Sequence, residues 1–261
     1  MNHKTIKNQT ILIMSLLFLS DILFAKERTE KRELVEIAGK QRMLSQSIAK
    51  DYLYIHKNIA LTKTQKELKI SLIDFFKAHK ILVSSIQNDE IKNLLDFVEL
   101  SSNDFNQTIH QPFTLDNAQL VLDLSESMLE GSQYIVNSLK SSNKIQESKI
   151  IEISGQQQML AQRIAKYYIA YQTGVKDSNT VRSMKRTVQE FSDNLNILLE
   201  HKKNTPLITK KIDEINKLWK IVHKFYNNIE KGGLPLIVFN TTNKITKKMD
   251  DVTKLYISKY Q

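Results

Sequence analysis

The chain has 261 residues, 41% hydrophobic and 25% charged, with a formal net charge of +10. This is an ordinary composition for a soluble protein, and six Gly and three Pro in the whole chain point to long helices with few tight turns. The absence of Cys excludes a thiol nucleophile, a thiol-anchored lipoprotein and any Cys-ligated metal or haem.

The first element is a targeting segment. Lys4 and Lys7 precede an apolar run over residues 11–19, followed by Leu23, Phe24 and Ala25 and then the charged stretch 26–32. That order predicts a secretory signal peptide over residues 1–25, cut after Ala25, with an uncleaved N-terminal anchor as the alternative. The run is short for a bilayer span. The mature chain is therefore expected to be soluble and periplasmic, with a net charge of +9 once Lys4, Lys7 and Asp21 are removed. In an exported protein that excess points to anions or anionic surfaces. No basic patch interleaved with aromatics marks a nucleic-acid partner.

From Leu34, apolar residues recur at Ile37, Leu44, Ile48, Tyr52, Ile55 and Ile59, the three- and four-residue steps of an amphipathic helix. A break at residues 61–64 is expected before a second helix carrying Leu68, Leu72, Phe75, Phe76, His79, Leu82 and Ile86. Asn88 and Asp89 cap a third with Ile91, Leu94, Leu95, Val98 and Phe105, which Pro112 ends. A fourth begins near Leu115 with Leu120, Leu124, Met128, Ile135 and Leu139 inward.

The second half repeats this order. A helix over 150–171 ends at Gly174, another covers 180–199, Pro206 opens a third, and the break at residues 232–235 precedes a fourth with Ile245, Met249, Val252 and Tyr256. The fold class is thus all-α: two tandem four-helix up-down bundles, residues 26–143 and 144–261. Residues 139–149 hold no Gly or Pro, so the bundles are expected to be joined by one continuous helix of roughly fifty residues, about 118–172.

Two copies of one segment, residues 36–52 and 152–168, share eleven identities in seventeen positions at an offset of 116. Unrelated helices would share about one, so the chain is internally duplicated. The shared residues include Gly39/Gly155, Gln41/Gln157, Met43/Met159, Gln46/Gln162 and Lys50/Lys166. Gly39, Arg42, Gln46 and Ala49 lie on one helix face, with Gln41 inside the apolar stripe. Glycine leaves room for a second helix or a small ligand, and the planar arginine fork suits an oxyanion. Equally, Gln41, Gln157, Gln46 and Gln162 could only bond across the bundle and fix helix register. The pattern leaves both readings open.

Catalytic templates are absent: there is no Gly-rich phosphate loop, no paired-His zinc motif and no nucleophile elbow. The six His are scattered, so neither a metal nor another cofactor is expected, and the chain does not read as an enzyme.

The segment G-K-Q-R-M-L-S-Q-S-I-A-K resembles the signature of the PilJ-type sensor domain, the N-terminal domain of type IV pili methyl-accepting chemotaxis transducers. It is also similar to periplasmic domains of nitrate/nitrite sensor kinases, on Gly39, Arg42 and Met43. The resemblance implies an all-helical sensing module whose arginine, Arg42 by position, shares a nitrate with a counterpart across paired first helices. The second copy departs from the signature, with Gln158 in the arginine place, while Arg163 fills a later arginine position where the first copy has Ser47. The implied ligand-binding set is Gly39, Gln41, Arg42, Met43, Gln46, Gly155, Gln157, Gln158, Gln162 and Arg163, holding a small anion with nitrate or nitrite first. The implied partner is a separate membrane-bound sensor kinase or chemoreceptor. Two arrangements are open. Either the chain folds back so that Arg42 meets Gln158 within one molecule, or a continuous helix holds the copies apart and two chains pair Arg42 with Arg42. The lack of Gly and Pro at residues 139–149 favours the second, a homodimer tightened by ligand. The alternative is a helical interaction module of a chemoreceptor or pilus system, without a small ligand.

Overall fold

The structure is a computed structural model describing residues 3–143, 145 and 148–260, with side chains from residue 29 on. The signal segment expected at residues 1–25 lies outside the described side chains. The described residues form α1 (His3–His56), α2 (Leu61–Ser85), α3 (Asp89–Thr108), α4 (Leu115–Ser142), α5 (Lys149–Thr173), α6 (Ser178–Glu200), α7 (Pro206–Asn227) and α8 (Pro235–Tyr260), with no strand among them. Among the described residues, no helix is long and apolar enough to cross a membrane.

Local chemistry sets the helix starts. The side chains of Asn88, Thr114, Asp177 and Thr205 accept from the free N–H groups of the first turns of α3, α4, α6 and α7, and Pro206 opens α7 where no N–H is needed. Gly174 closes α5 at φ 116°, the left-handed cap that glycine adopts without steric cost.

α1 packs on α2 and α4, and α3 packs on α4 and α2, as one four-helix group. α5 packs on α6 and α8, and α7 joins them, as a second. The first core centres on Ile48, Phe75, Leu95, Phe105 and Met128; the second on Leu160, Ile164, Phe191, Ile215 and Met249. The groups are not separate beads. α1 lies along α5, and Ile169, Ala170 and Phe239 of the second group sit in the core of the first.

This overturns the expected continuous helix. α4 ends at Ser142, Asn143 caps it, and α5 starts afresh at Lys149, so the chain folds back. Side chains compete there with the helical ladder: Asn143 Nδ2 donates to the Leu139 carbonyl at 2.9 Å, and Ser142 Oγ to that of Ser138 at 2.7 Å. The Ile145 N–H closes the end on the Lys140 carbonyl. Two smaller corrections follow from packing. Leu120, expected inward, is exposed on α4, and the first break falls at residues 57–60 rather than 61–64. Asn58 and Ala60 take left-handed backbone there, at φ 55° and 48°, and the buried Thr64 hydroxyl ties the turn to the carbonyls of Ile59 and Ala60.

Asn tolerates that conformation, but the Ala60 Cβ crowds the backbone at a cost of about 1–2 kcal/mol. Ala60→Gly is expected to raise stability in urea by about 0.5–1 kcal/mol, part of the relief being offset by glycine's chain entropy.

Candidate functional site

A cleft of about 690 Å³ opens between residues 33–47 of α1 and the N-terminal half of α5. Gly39, Arg42, Met43 and Ser47 line it from α1, Gly155, Gln158 and Gln162 from α5, and Asn243, Thr246 and Thr253 from α8. Val35, Ile37, Leu44, Ile151 and Ile257 give it apolar walls. Its charges balance: Glu33, Glu36, Glu67, Glu152 and Asp250 face Lys40, Arg42, Lys140, Lys247 and Lys254.

The two repeated glycines shape this cleft differently. A Cβ on Gly39 would stand 3.4 Å from Arg42 Nη2, so the guanidinium lies back across the bare backbone. A Cβ on Gly155 would meet nothing within 4 Å, which leaves the α5 wall open. Arg42 is largely buried, and its Nη1 donates to Gln133 Oε1 at 2.5 Å; Gln133 in turn donates to Asn137. α4 therefore fixes the arginine fork from behind. Opposite it, Gln158 Nε2 reaches Thr253 Oγ1 at 3.5 Å.

The other repeated glutamines tie each first helix to its neighbours. Gln41 Nε2 meets His79 Nδ1 of α2 at 3.3 Å, and Gln157 Nε2 donates to the Phe191 carbonyl of α6 at 3.0 Å. Gln46 Nε2 donates to the Ser125 carbonyl of α4 at 2.9 Å, and Gln162 Nε2 to Thr246 Oγ1 of α8 at 2.8 Å. Thus equivalent residues pin equivalent helices in both copies, helix two and helix four.

Below the cleft the repeated lysines cross between the groups. Lys50 of α1 is buried and donates to Asn243 Oδ1 of α8 at 2.7 Å. Lys166 of α5 is buried and donates to Ser125 Oγ of α4 at 2.8 Å and to Glu126 Oε1. Arg163 makes a fork–fork pair with the same Glu126. Burial alone would raise the Glu126 carboxyl, but Lys166 and Arg163 hold it down at about 2. Burial outweighs that carboxylate at Lys166 and lowers its ammonium to about 8. Asp51 has a weaker partner. It is fully buried, and Lys50 Nζ approaches Oδ1 at 3.1 Å outside hydrogen-bonding alignment. Desolvation therefore pushes its carboxyl up to about 7 against the pull of Lys50.

Of the residues singled out by the repeat, Gly39, Arg42, Met43, Gly155, Gln158 and Gln162 come together in the cleft. Gln41, Gln46 and Gln157 sit in the cores, and Arg163 is held by Glu126. Gln133, Asn243 and Glu126 carry no repeat signal and emerge from tertiary structure alone. Lys50 and Lys166 were visible as identical lysines within an apolar helix. Among the described residues, no three His or carboxylate side chains gather as a metal site.

Residues 138–237 match a family described as type IV pili methyl-accepting chemotaxis transducer N-term, PilJ, which supports a PilJ-type domain in that span. The match contains the second copy of the repeated segment and leaves the first outside. No curated protein and no solved structure matches the chain.

Asp51 gives this seam a pH dependence. Its folded-state pKa, about 7, lies above the unfolded value of 3.8, so the folded chain holds a proton between them and stability falls as pH rises through that window. Asp51→Asn removes the charge. Relative to the native chain it is expected to gain about 2 kcal/mol more at pH 8 than at pH 5 in urea unfolding. A difference that does not vary with pH would show that Asp51 does not titrate there.

Proposed function

We propose that the chain is an exported tandem sensor module. It holds a small ligand bearing an oxyanion group between its two first helices and signals to a separate membrane-bound chemoreceptor or sensor kinase. Nitrate and nitrite are the simplest such ligands. The carrying observation is that Arg42 and Gln158, the same position in the two copies, line one cleft. An arginine fork held by Gln133 beside amide and hydroxyl donors offers pre-oriented hydrogen bonds to a planar oxyanion. The similarity of residues 138–237 to a chemotaxis transducer domain supports a sensory role over an enzymatic one.

Because the chain folds back, one molecule supplies both walls. The homodimer expected from a continuous helix loses its premise, and a monomer is complete. Ligand held across the cleft would bear on α1 and α4 through Arg42, and on α5 and α8 through Gln158, Gln162 and Thr253. A change in how α1 and α5 lie together is the signal such a geometry can send.

A second reading, a helical interaction module without a small ligand, draws on Gln41, Gln46 and Gln157, which serve helix register inside the cores. Thermal unfolding with millimolar nitrate, nitrite or small carboxylates separates the two. A bound ligand at a hundred times its dissociation constant adds about 2.7 kcal/mol of stability. Arg42→Ala is expected to abolish that gain while the unliganded protein stays folded, whereas Gln41→Ala lowers stability by about 1 kcal/mol and leaves the ligand response intact. No stabilisation of the native chain by any of these anions would leave the interaction module standing.

A further inference from the structure

The net charge of the chain belongs to one half of it. Residues 1–143 carry 17 basic and 17 acidic side chains, whereas residues 144–261 carry 21 basic and 11 acidic. Within the second half, half of that excess lies at one end. Residues 174–186 and 220–237, which form the helix junctions there, hold seven basic and two acidic side chains. The opposite end, residues 149–155, 200–214 and 250–260, holds seven and six.

The junctions of the first group share that basic end. Tyr54 at the end of α1 donates to the Pro235 carbonyl at the start of α8 at 3.2 Å, and Lys63 of α2 donates to Asn240 of α8 at 3.1 Å. Phe113, before α4, stacks on His56, and a Cβ on Gly174 would lie 3.1 Å from Leu115. Exposed aliphatic side chains gather there too. Leu115, Leu234 and Leu236 are 52%, 53% and 51% exposed, with Ile221 and Ile237 also open to solvent. Arg182, Lys185, Arg186, Lys220, Lys224 and Lys231 are exposed around them.

We propose that this end docks on an anionic phospholipid surface. Aliphatic side chains at several separate junctions, surrounded by long cationic ones, call for a counter-surface that is apolar and negative over a continuous area. The interface of an anionic bilayer is both: leucines enter the acyl boundary while lysine and arginine stems reach up to the headgroups. A pocketed acidic protein would instead meet a concentrated apolar patch with a polar rim. α1 ends at His56 on this side, beside Pro235, so a docked molecule points the N-terminal part of that helix away from the surface. Such docking is independent of what the cleft holds.

The test is co-sedimentation of the full chain with vesicles of phosphatidylcholine alone or with phosphatidylglycerol added. Each basic side chain at an anionic surface is worth about fivefold in partitioning. The native chain is expected to bind the anionic vesicles at least about tenfold more strongly, and to lose that difference in high salt. The double variants Lys220→Glu/Lys224→Glu and Leu234→Asp/Leu236→Asp alter exposed positions. Each is expected to cut the anionic-vesicle binding at least about tenfold with an unchanged thermal melt. Lys202→Glu/Lys203→Glu, at the opposite end, is expected to leave it nearly unchanged. Equal binding to both vesicles, no binding, or an equal loss on reversing Lys202 and Lys203 overturns the proposal. Any hold of residues 1–25 on lipid is common to all these chains and cancels in the comparison.

Discussion

Lys50 and Lys166 are one residue seen twice, and each leaves its own four-helix group to end on the other. A buried ammonium without a partner would lose several kcal/mol of hydration, so these two lysines constrain the fold more tightly than any apolar contact between the groups. Their partners, Asn243 on α8 and Ser125 with Glu126 on α4, come within reach when α1 and α5 lie side by side. The break after α4, the seam between the groups and the cleft above it all follow from that requirement. A chain held straight through residues 139–149 would leave both lysines buried without acceptors, or exposed beside an uncovered apolar stripe.

The copies have solved the same problem with different charges. In the second, Glu126 satisfies Lys166 and Arg163 together, making a three-member network whose carboxylate stays ionised far below neutrality. In the first, the nearest carboxylate to Lys50 is Asp51, the next residue on the same helix, where alignment is poor and burial dominates. One side of the seam is thus firmly paired, and the other is held near its titration point. The divergence also divides the arginines. Arg163 is consumed by Glu126, while Arg42 is turned toward the cleft and steadied by Gln133. Among the cleft residues, Arg42 is the one arginine.

Much of this was legible from residue order. Three- and four-residue apolar steps, the caps at Asn88 and Thr205, and Gly174 marked the helices, because each rests on local chemistry. The duplication marked Gly39, Arg42, Gly155 and Gln158 as related positions. The fold-back was hidden for a physical reason. Helix propensity and the lack of Gly or Pro at residues 139–149 favoured continuation, whereas the outcome rested on side-chain bonds from Ser142 and Asn143 and on burial between α1 and α5. The roles of Glu126, Gln133 and Asn243 could not be read at all, since the cations they accept from, Arg163, Arg42 and Lys50, stand 37 or more positions away with no periodic relation. Asp51 was readable in principle, as a lone carboxylate beside lysine in an otherwise apolar stretch.

Asn243 ties the cleft to the seam beneath it. It lines the cleft, accepts from Lys50 at 2.7 Å and from Gln162 at 3.4 Å, and donates to Glu67 of α2 at 2.7 Å. One amide therefore joins α1, α2, α5 and α8. A group entering the cleft that competes for its oxygen weakens the acceptor on which Lys50 depends. The lysine must then lean further on Asp51, whose charge state is the most responsive in the seam. Coupling of this kind needs no long chain of contacts. It needs two arrangements of α1 against α5 that differ in which acceptor holds Lys50, and a cleft that favours one of them. The fold provides the shared acceptor, and occupancy of the cleft would set the balance.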